Sequence, residues 1–229
     1  MRIGIVGAGI GGLATAIGMA SRGHHVTVFE QRESPGTIGA GITLFGNAFT
    51  ALDHLGIGDA VRDISSGEVA SLPSGYRTPD GSWLAKMPAS GTAQLRTVHR
   101  ADLHRLLVSL LPEGTLLTSA PAAVAADGSP VVTVNGAVHA AKHHFDLVVV
   151  ADGIRSTNRA RLGMDPGLLY SGYTAWRGIA DARSIRLDTA GEIWGAGRRF
   201  GYVPLPGQQC YWFGTLSAAE GTQFPDEAH

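Results

Sequence analysis

The sequence of 229 residues holds a single cysteine, Cys210, so no disulfide can form within the chain. That fits a reducing compartment and makes the cytoplasm the expected location. No apolar run is long enough to cross a bilayer, and the short apolar run at residues 3–6 breaks into glycines before it could serve as a signal-peptide core. Charge of one sign is also missing: 18 basic against 19 acidic side chains leave −1, which argues against nucleic acid and against an anionic membrane surface as partners. What the chain has in excess is glycine, 32 residues or about twice the usual share, without the period of collagen. Several of these glycines cluster where a backbone must turn sharply or come close to a ligand.

The first cluster carries the strongest signal. Residues 3–6 read as a buried strand, Gly7-Ala8-Gly9-Ile10-Gly11-Gly12 as a turn, Leu13, Ile17 and Ala20 as one face of a helix, and residues 25–29 as a second strand. Strand, glycine turn, helix and strand make a βαβ unit. Gly7, Gly9 and Gly12 fit G-x-G-x-x-G: the first permits the turn, the second lets a phosphate approach the backbone, and the third lets helix and strand pack closely. The free N–H groups and dipole of the helix start favour a pyrophosphate. Glu30 ends the second strand 18 positions after Gly12, where a carboxylate can accept hydrogen bonds from a ribose diol. This predicts a dinucleotide with a free 2′-hydroxyl, FAD or NAD, and the loop alone does not choose between them.

Further along, Asn47 is placed to cap a helix carrying Phe49, Leu52 and Leu55. Residues 68–86 read as a β-hairpin turning at Asp80-Gly81. Leucines at 103, 106, 107, 110 and 111 mark a helix stopped by Pro112, and turns are expected at Asp127-Gly128 and Asn135-Gly136. Residues 146–151 form another buried strand, and residues 157–162 a short helix. Beyond Tyr170 three of the four tryptophans and residues 172–180, 192–195, 200–205 and 210–216 suggest antiparallel strands. His139, His143 and His144 have no cysteine or acid at ligand spacing, so no metal site is read there. The terminal Asp-Glu-Ala-His, 226–229, has no Walker A sequence to accompany it.

Four segments together resemble a known family. VGAGIGGLATAIGMASRGHHVTVFEQR, GAGITLFGNAFTALDHLGIGDAV, HRADLHRLL and VVVADGIRSTNR are similar, in order and spacing, to the class A flavin-dependent monooxygenases, the para-hydroxybenzoate and salicylate hydroxylase relatives. The resemblance implies an α/β fold: a Rossmann-like FAD-binding domain with an inserted hairpin over residues 1–168, and an incomplete antiparallel substrate-binding sheet over 169–229. It implies FAD as cofactor, NAD(P)H as reductant, and O2 activated to hydroxylate or epoxidise a small aromatic substrate. Gly7, Gly9, Gly12 and Glu30, with Arg32 beside them, would hold the ADP moiety, and the Gly39-Ala40-Gly41 segment would pass near the flavin. Arg100 would meet the phosphate region, and Asp152 would help seat FAD and NAD(P)H. Arg100 has independent support, since a cation at a helix start is unfavourable by roughly 0.3–1 kcal/mol unless an anion offsets it. Val150 and Gly46 depart from the family's common glycine and proline.

YSGYTAWRGIA and GEIWGAGRRFGYVPLPGQQCYWFGTL resemble the family's substrate sheet, with Arg199 and Tyr211 where some relatives contact substrate; strand packing of aromatics is the alternative reading. The family's second flavin motif, a Gly-Asp-Ala-Ala-His type of segment, has no counterpart in residues 160–229. The expectation is therefore a C-terminally truncated member whose exposed sheet edges invite a second copy or a complementing chain, or else a binding fragment without turnover, or another NAD- or FAD-linked oxidoreductase.

Overall fold

A computed structural model describes residues 1–34, 40–135 and 140–224. Gly39, the turn residue Gly136, His139 and the 226–229 string lie outside the described residues. The chain begins β1 (Arg2–Val6), α1 (Ile10–Ala20), β2 (His25–Phe29), β3 (Gly41–Leu44), α2 (Gly46–His54), α3 (Gly58–Asp63) and α4 (Glu68–Ser71). It continues with β4 (Ser74–Arg77), β5 (Trp83–Lys86), α5 (Ala89–Thr92), β6 (Arg96–His99), α6 (Arg100–Ser109), β7 (Leu116–Leu117) and β8 (Ala122–Val124). The last elements are β9 (Val131–Asn135), β10 (Ala140–His144), β11 (Leu147–Val150), α7 (Thr157–Arg161), β12 (Tyr173–Asp181), β13 (Ala190–Gly195), β14 (Arg198–Leu205) and β15 (Gln209–Ser217).

These elements form two compact units. The first comprises residues 1–38, 50–63 and 100–166, and the second 39–49, 64–99 and 167–229. In the first unit a parallel sheet runs in the order β11-β1-β2-β7. β1 is central and flanked on both sides, which is why Ile3, Ile5 and Val6 are all buried and the strand reads as one apolar run. α1 turns Leu13, Ala16 and Ile17 inward at helical spacing. A second, antiparallel sheet, β10-β9-β8, contributes Val124 and Val132 to a core shared with Val6, Phe29 and Ala120.

The second unit is built on a six-stranded sheet, β12-β15-β14-β13-β4-β5, antiparallel except where β13 runs parallel to β4. β3 and β6 pair separately as an antiparallel ribbon. The sequence pattern and the structure differ in three local details. Residues 68–71 are a helical turn rather than strand, because Glu68 N–H is held by Ser66 Oγ and Val69 is buried; the hairpin starts at Ser74. α2 begins at Gly46, so Asn47 lies inside its first turn instead of capping it, and Leu55 falls beyond its end at His54. The pairing of β3 with β6 joins residues more than fifty positions apart, which local periodicity cannot register.

Candidate functional site

β1 lies between β2 and β11 and runs parallel to both, and the crevice beyond the carboxyl ends of such strands is where α/β sheets hold ligands. A cavity of about 300 Å³ opens there. Gly7 follows β1, Glu30 follows β2 and Asp152 lies just past β11, and all three line it. Gly9, Arg32 and Arg100 line it too, together with His104, Arg155 and Asn158. Six sequence-predicted residues thus share one cavity.

Backbone geometry explains the glycines. Gly7 has φ +104, and a Cβ on it would stand 2.5 Å from the Ala151 carbonyl oxygen. A Cβ on Gly12 would stand 2.0 Å from the Gly7 carbonyl oxygen, so this residue closes helix onto turn rather than lining the cavity. Gly9 is different: a Cβ there meets nothing within 4 Å, and the space it would occupy is open to a ligand. Gly9 is also the N-cap of α1, and no side chain caps that helix start. Among the described residues the first-turn N–H groups have no capping side chain, the arrangement that favours an anion.

Glu30 already has structural work in this cavity. Its Oε2 accepts the Ala8 N–H at 3.0 Å and its Oε1 accepts the Arg32 N–H at 2.9 Å. An ionised carboxylate has about four acceptor positions, so capacity for a diol remains. His104 is buried and its Nε2–H donates to the Ala8 carbonyl at 2.7 Å, bracing the same loop from α6. Asn158, 2% exposed, donates from Nδ2 to Asp152 Oδ2 at 2.9 Å and accepts the Val124 N–H at 2.9 Å. It fixes the Asp152 carboxylate. In the sequence His104 only flanks the helix start at Arg100, with no base role, and Asn158 does not stand out, although each lies inside one of the four family-like segments. Among the described residues, Arg100 and Arg155 have no ion-pair partner, whereas Asp102 and Arg159 are taken up by Arg105 and Asp165.

The remaining predicted residues lie in the second unit. Gly41 sits on β3, and a Cβ there would stand 2.4 Å from the Tyr211 Cβ, so its lack of a side chain makes room for Tyr211. Tyr211 lines an apolar cavity of about 230 Å³. Arg199 lines a separate recess of about 200 Å³, its guanidinium 5.3 Å from the Tyr173 ring centre and 5.9 Å from that of Trp194. Arg199 and Tyr211 share a sheet face but not a cavity, because Phe213 stands between Tyr211 and the strand position opposite Arg199. No cluster of three or more metal-ligating side chains occurs among the described residues, and no helix among them is long and apolar enough to cross a membrane.

Comparison with known proteins agrees with this geometry. The NAD(P)-binding Rossmann-like domain family matches residues 5–54. Aurachin C monooxygenase/isomerase of Stigmatella aurantiaca is 35% identical over 227 residues, which cover 95% of this chain and 57% of that protein. Salicylate hydroxylase of Pseudomonas putida is 33% identical over 197 residues, 81% of this chain and 45% of that one. Among solved structures, HpxO of Klebsiella pneumoniae complexed with FAD and uric acid superposes with a TM-score of 0.81 at 25% identity, over 98% of this chain and 58% of that one. The chain thus spans about half the length of the relatives it matches.

Proposed function

We propose that this chain, a relative of the class A flavin-dependent monooxygenases over the part of their length that it spans, binds FAD through residues 1–168 and contributes residues 169–229 to the substrate side of a monooxygenase. The observation that carries the reading is the convergence of Gly7, Gly9, Glu30, Arg32, Arg100 and Asp152 on one cavity at the ends of parallel strands. That donor set fits an adenine dinucleotide: an open glycine cradle and an uncapped helix start for the pyrophosphate, a carboxylate for the ribose, and, for a phosphate, a guanidinium with no ion-pair partner among the described residues. The HpxO relative holds FAD and uric acid, and the other relatives are named as a monooxygenase and a hydroxylase.

In this reading Gly7 and Gly12 shape the turn, Gly9 admits the pyrophosphate, and Glu30 accepts from the ribose hydroxyls while tying the loop through Ala8. Arg32 and Arg100 would offer their guanidinium groups to the dinucleotide, Arg100 to a phosphate, and Asp152, fixed by Asn158, would help seat the rest of it. Bound FAD would supply the redox chemistry, taking electrons from NAD(P)H and activating O2. Tyr211, seated against Gly41, would contact the substrate, a small aromatic molecule; Arg199, which lines the separate recess, would act on it only through the Glu192 carboxylate, 3.9 Å from its Nη1. Edge strands β5 and β12 are the places where a second copy or a complementing chain would add to the sheet. The single cysteine supports a cytoplasmic location.

The test is the visible absorption spectrum of the purified chain, followed by titration with FAD and by assay of NAD(P)H oxidation with candidate phenols. A flavin spectrum, or saturable FAD uptake, is the expected result; the absence of both would contradict the reading. FAD uptake without substrate-stimulated NAD(P)H oxidation would leave the binding claim standing and remove the turnover.

A further inference from the structure

The cavity beside Tyr211 is walled mainly by apolar and aromatic groups, Phe45, Leu95, Val203 and Phe213 among them. Among the described residues no lysine, arginine or histidine lines it, and the one charged residue of its lining is Glu192. The Glu192 carboxylate is held in place: Oε2 accepts from Trp194 Nε1–H at 2.7 Å and stands 3.9 Å from Arg199 Nη1. Arg199 itself lines the other recess, beside Thr215.

We infer that this cavity takes a neutral aromatic or heteroaromatic ring bearing an N–H or O–H donor and rejects ring carboxylates, with Glu192 as the residue that discriminates. The inference rests on the proposed function only in treating this cavity as the substrate's. A carboxylate entering it loses hydration to apolar walls, gains no cation among the lining residues, and meets a like charge. A neutral ring buries its body against Phe213, Leu95 and Val203 and presents its donor to the carboxylate or to a phenol of the wall. This is selection by an added repulsive element rather than by an added contact.

The size of the cavity is set by a glycine. A Cβ on Gly201 would stand 2.2 Å from the Phe213 ring edge, so Phe213 lies back in space that any other residue would fill. A methyl group at that position has to displace a ring that itself lines the cavity.

The experiment is calorimetric titration of the chain with 4-hydroxyquinoline and with 4-hydroxyquinoline-2-carboxylate, which share one ring system and differ by the charge. The neutral compound is expected to bind roughly tenfold or more tightly, the low end of what a like-charge juxtaposition produces. Glu192→Gln should narrow that ratio by admitting the carboxylate, and Gly201→Ala should weaken the neutral compound. Equal or tighter binding of the carboxylate, a ratio unchanged in Glu192→Gln, or binding of neither compound overturns the inference. An ADP titration of the same sample separates the two claims. ADP uptake with no quinoline binding removes this inference alone, whereas neutral-selective quinoline binding without ADP uptake supports it and removes the proposed cofactor.

Discussion

The cavity of the first unit is walled by loop backbone and by residues that follow three strand ends, while the cavity of the second is walled by side chains from strands far apart in sequence. In the first, Gly7, Glu30 and Asp152 are each put in place by the end of a buried parallel strand. In the second, Tyr211 and Phe213 are put in place by what is absent opposite them, the side chains of Gly41 and Gly201. A backbone-built site tolerates little change in its glycines and offers chemistry that many dinucleotides share. A side-chain site can vary residue by residue, which suits the part of a protein that chooses a substrate.

Four predictions would break or sharpen this contrast. The largest effect is expected for Gly12→Val. Its Cβ position lies 2.0 Å from a backbone oxygen, so turn and helix must separate; a loss of about 3 kcal/mol is expected in urea unfolding, with FAD uptake abolished. A variant as stable as the parent would show that the turn is not backbone-limited. Next is Glu30→Ala, which removes two backbone tethers as well as the ribose acceptor. FAD affinity should fall by roughly 1.5–3 kcal/mol, with Glu30→Gln intermediate.

Arg100→Ala should weaken FAD by about tenfold while leaving the melting temperature nearly unchanged, because the guanidinium has no ion-pair partner among the described residues. A large drop in melting temperature with unaltered affinity would make Arg100 structural. The smallest effects belong to exposed pairs, one in each unit. Hydrogen bonds from Arg62 and Arg183 hold the carboxyls of Asp53 and Asp181 below the usual aspartate value of 3.8. A lowered folded value means that each pair contributes above the unfolded value and loses its contribution as pH falls through the lowered one. Arg62→Gln and Arg183→Gln should therefore cost little at neutral pH, by urea unfolding, and nothing in strong acid. A large or unequal cost would show that surface charge distinguishes the units after all.

The contrast also explains what could be read from the sequence. Gly7, Gly9, Gly12 and Glu30 are legible because their meaning depends on spacing within about twenty-five residues, and Asp152 because it follows a run of valines. The strands from Tyr173 onward are legible from turn glycines and aromatic patterning. His104 and Asn158 are not, since their roles appear only when α6 meets Ala8 across 96 positions and α7 meets β8 across 34. Arg199 and Tyr211 could be picked out as a cation and a phenol, but only the strand register shows Phe213 between them. Glu192 gave no signal at all, because an acid in an edge-like strand segment reads as solvated surface until the cavity beside it is known.

The measurement that bears most directly on the central claim is calorimetric titration of ADP into the chain and into its Glu30→Ala variant. Saturable binding to the parent, weakened tenfold or more in the variant, is what a first unit built to hold the adenosine end of FAD predicts. No binding to the parent, or equal binding to both, would contradict it.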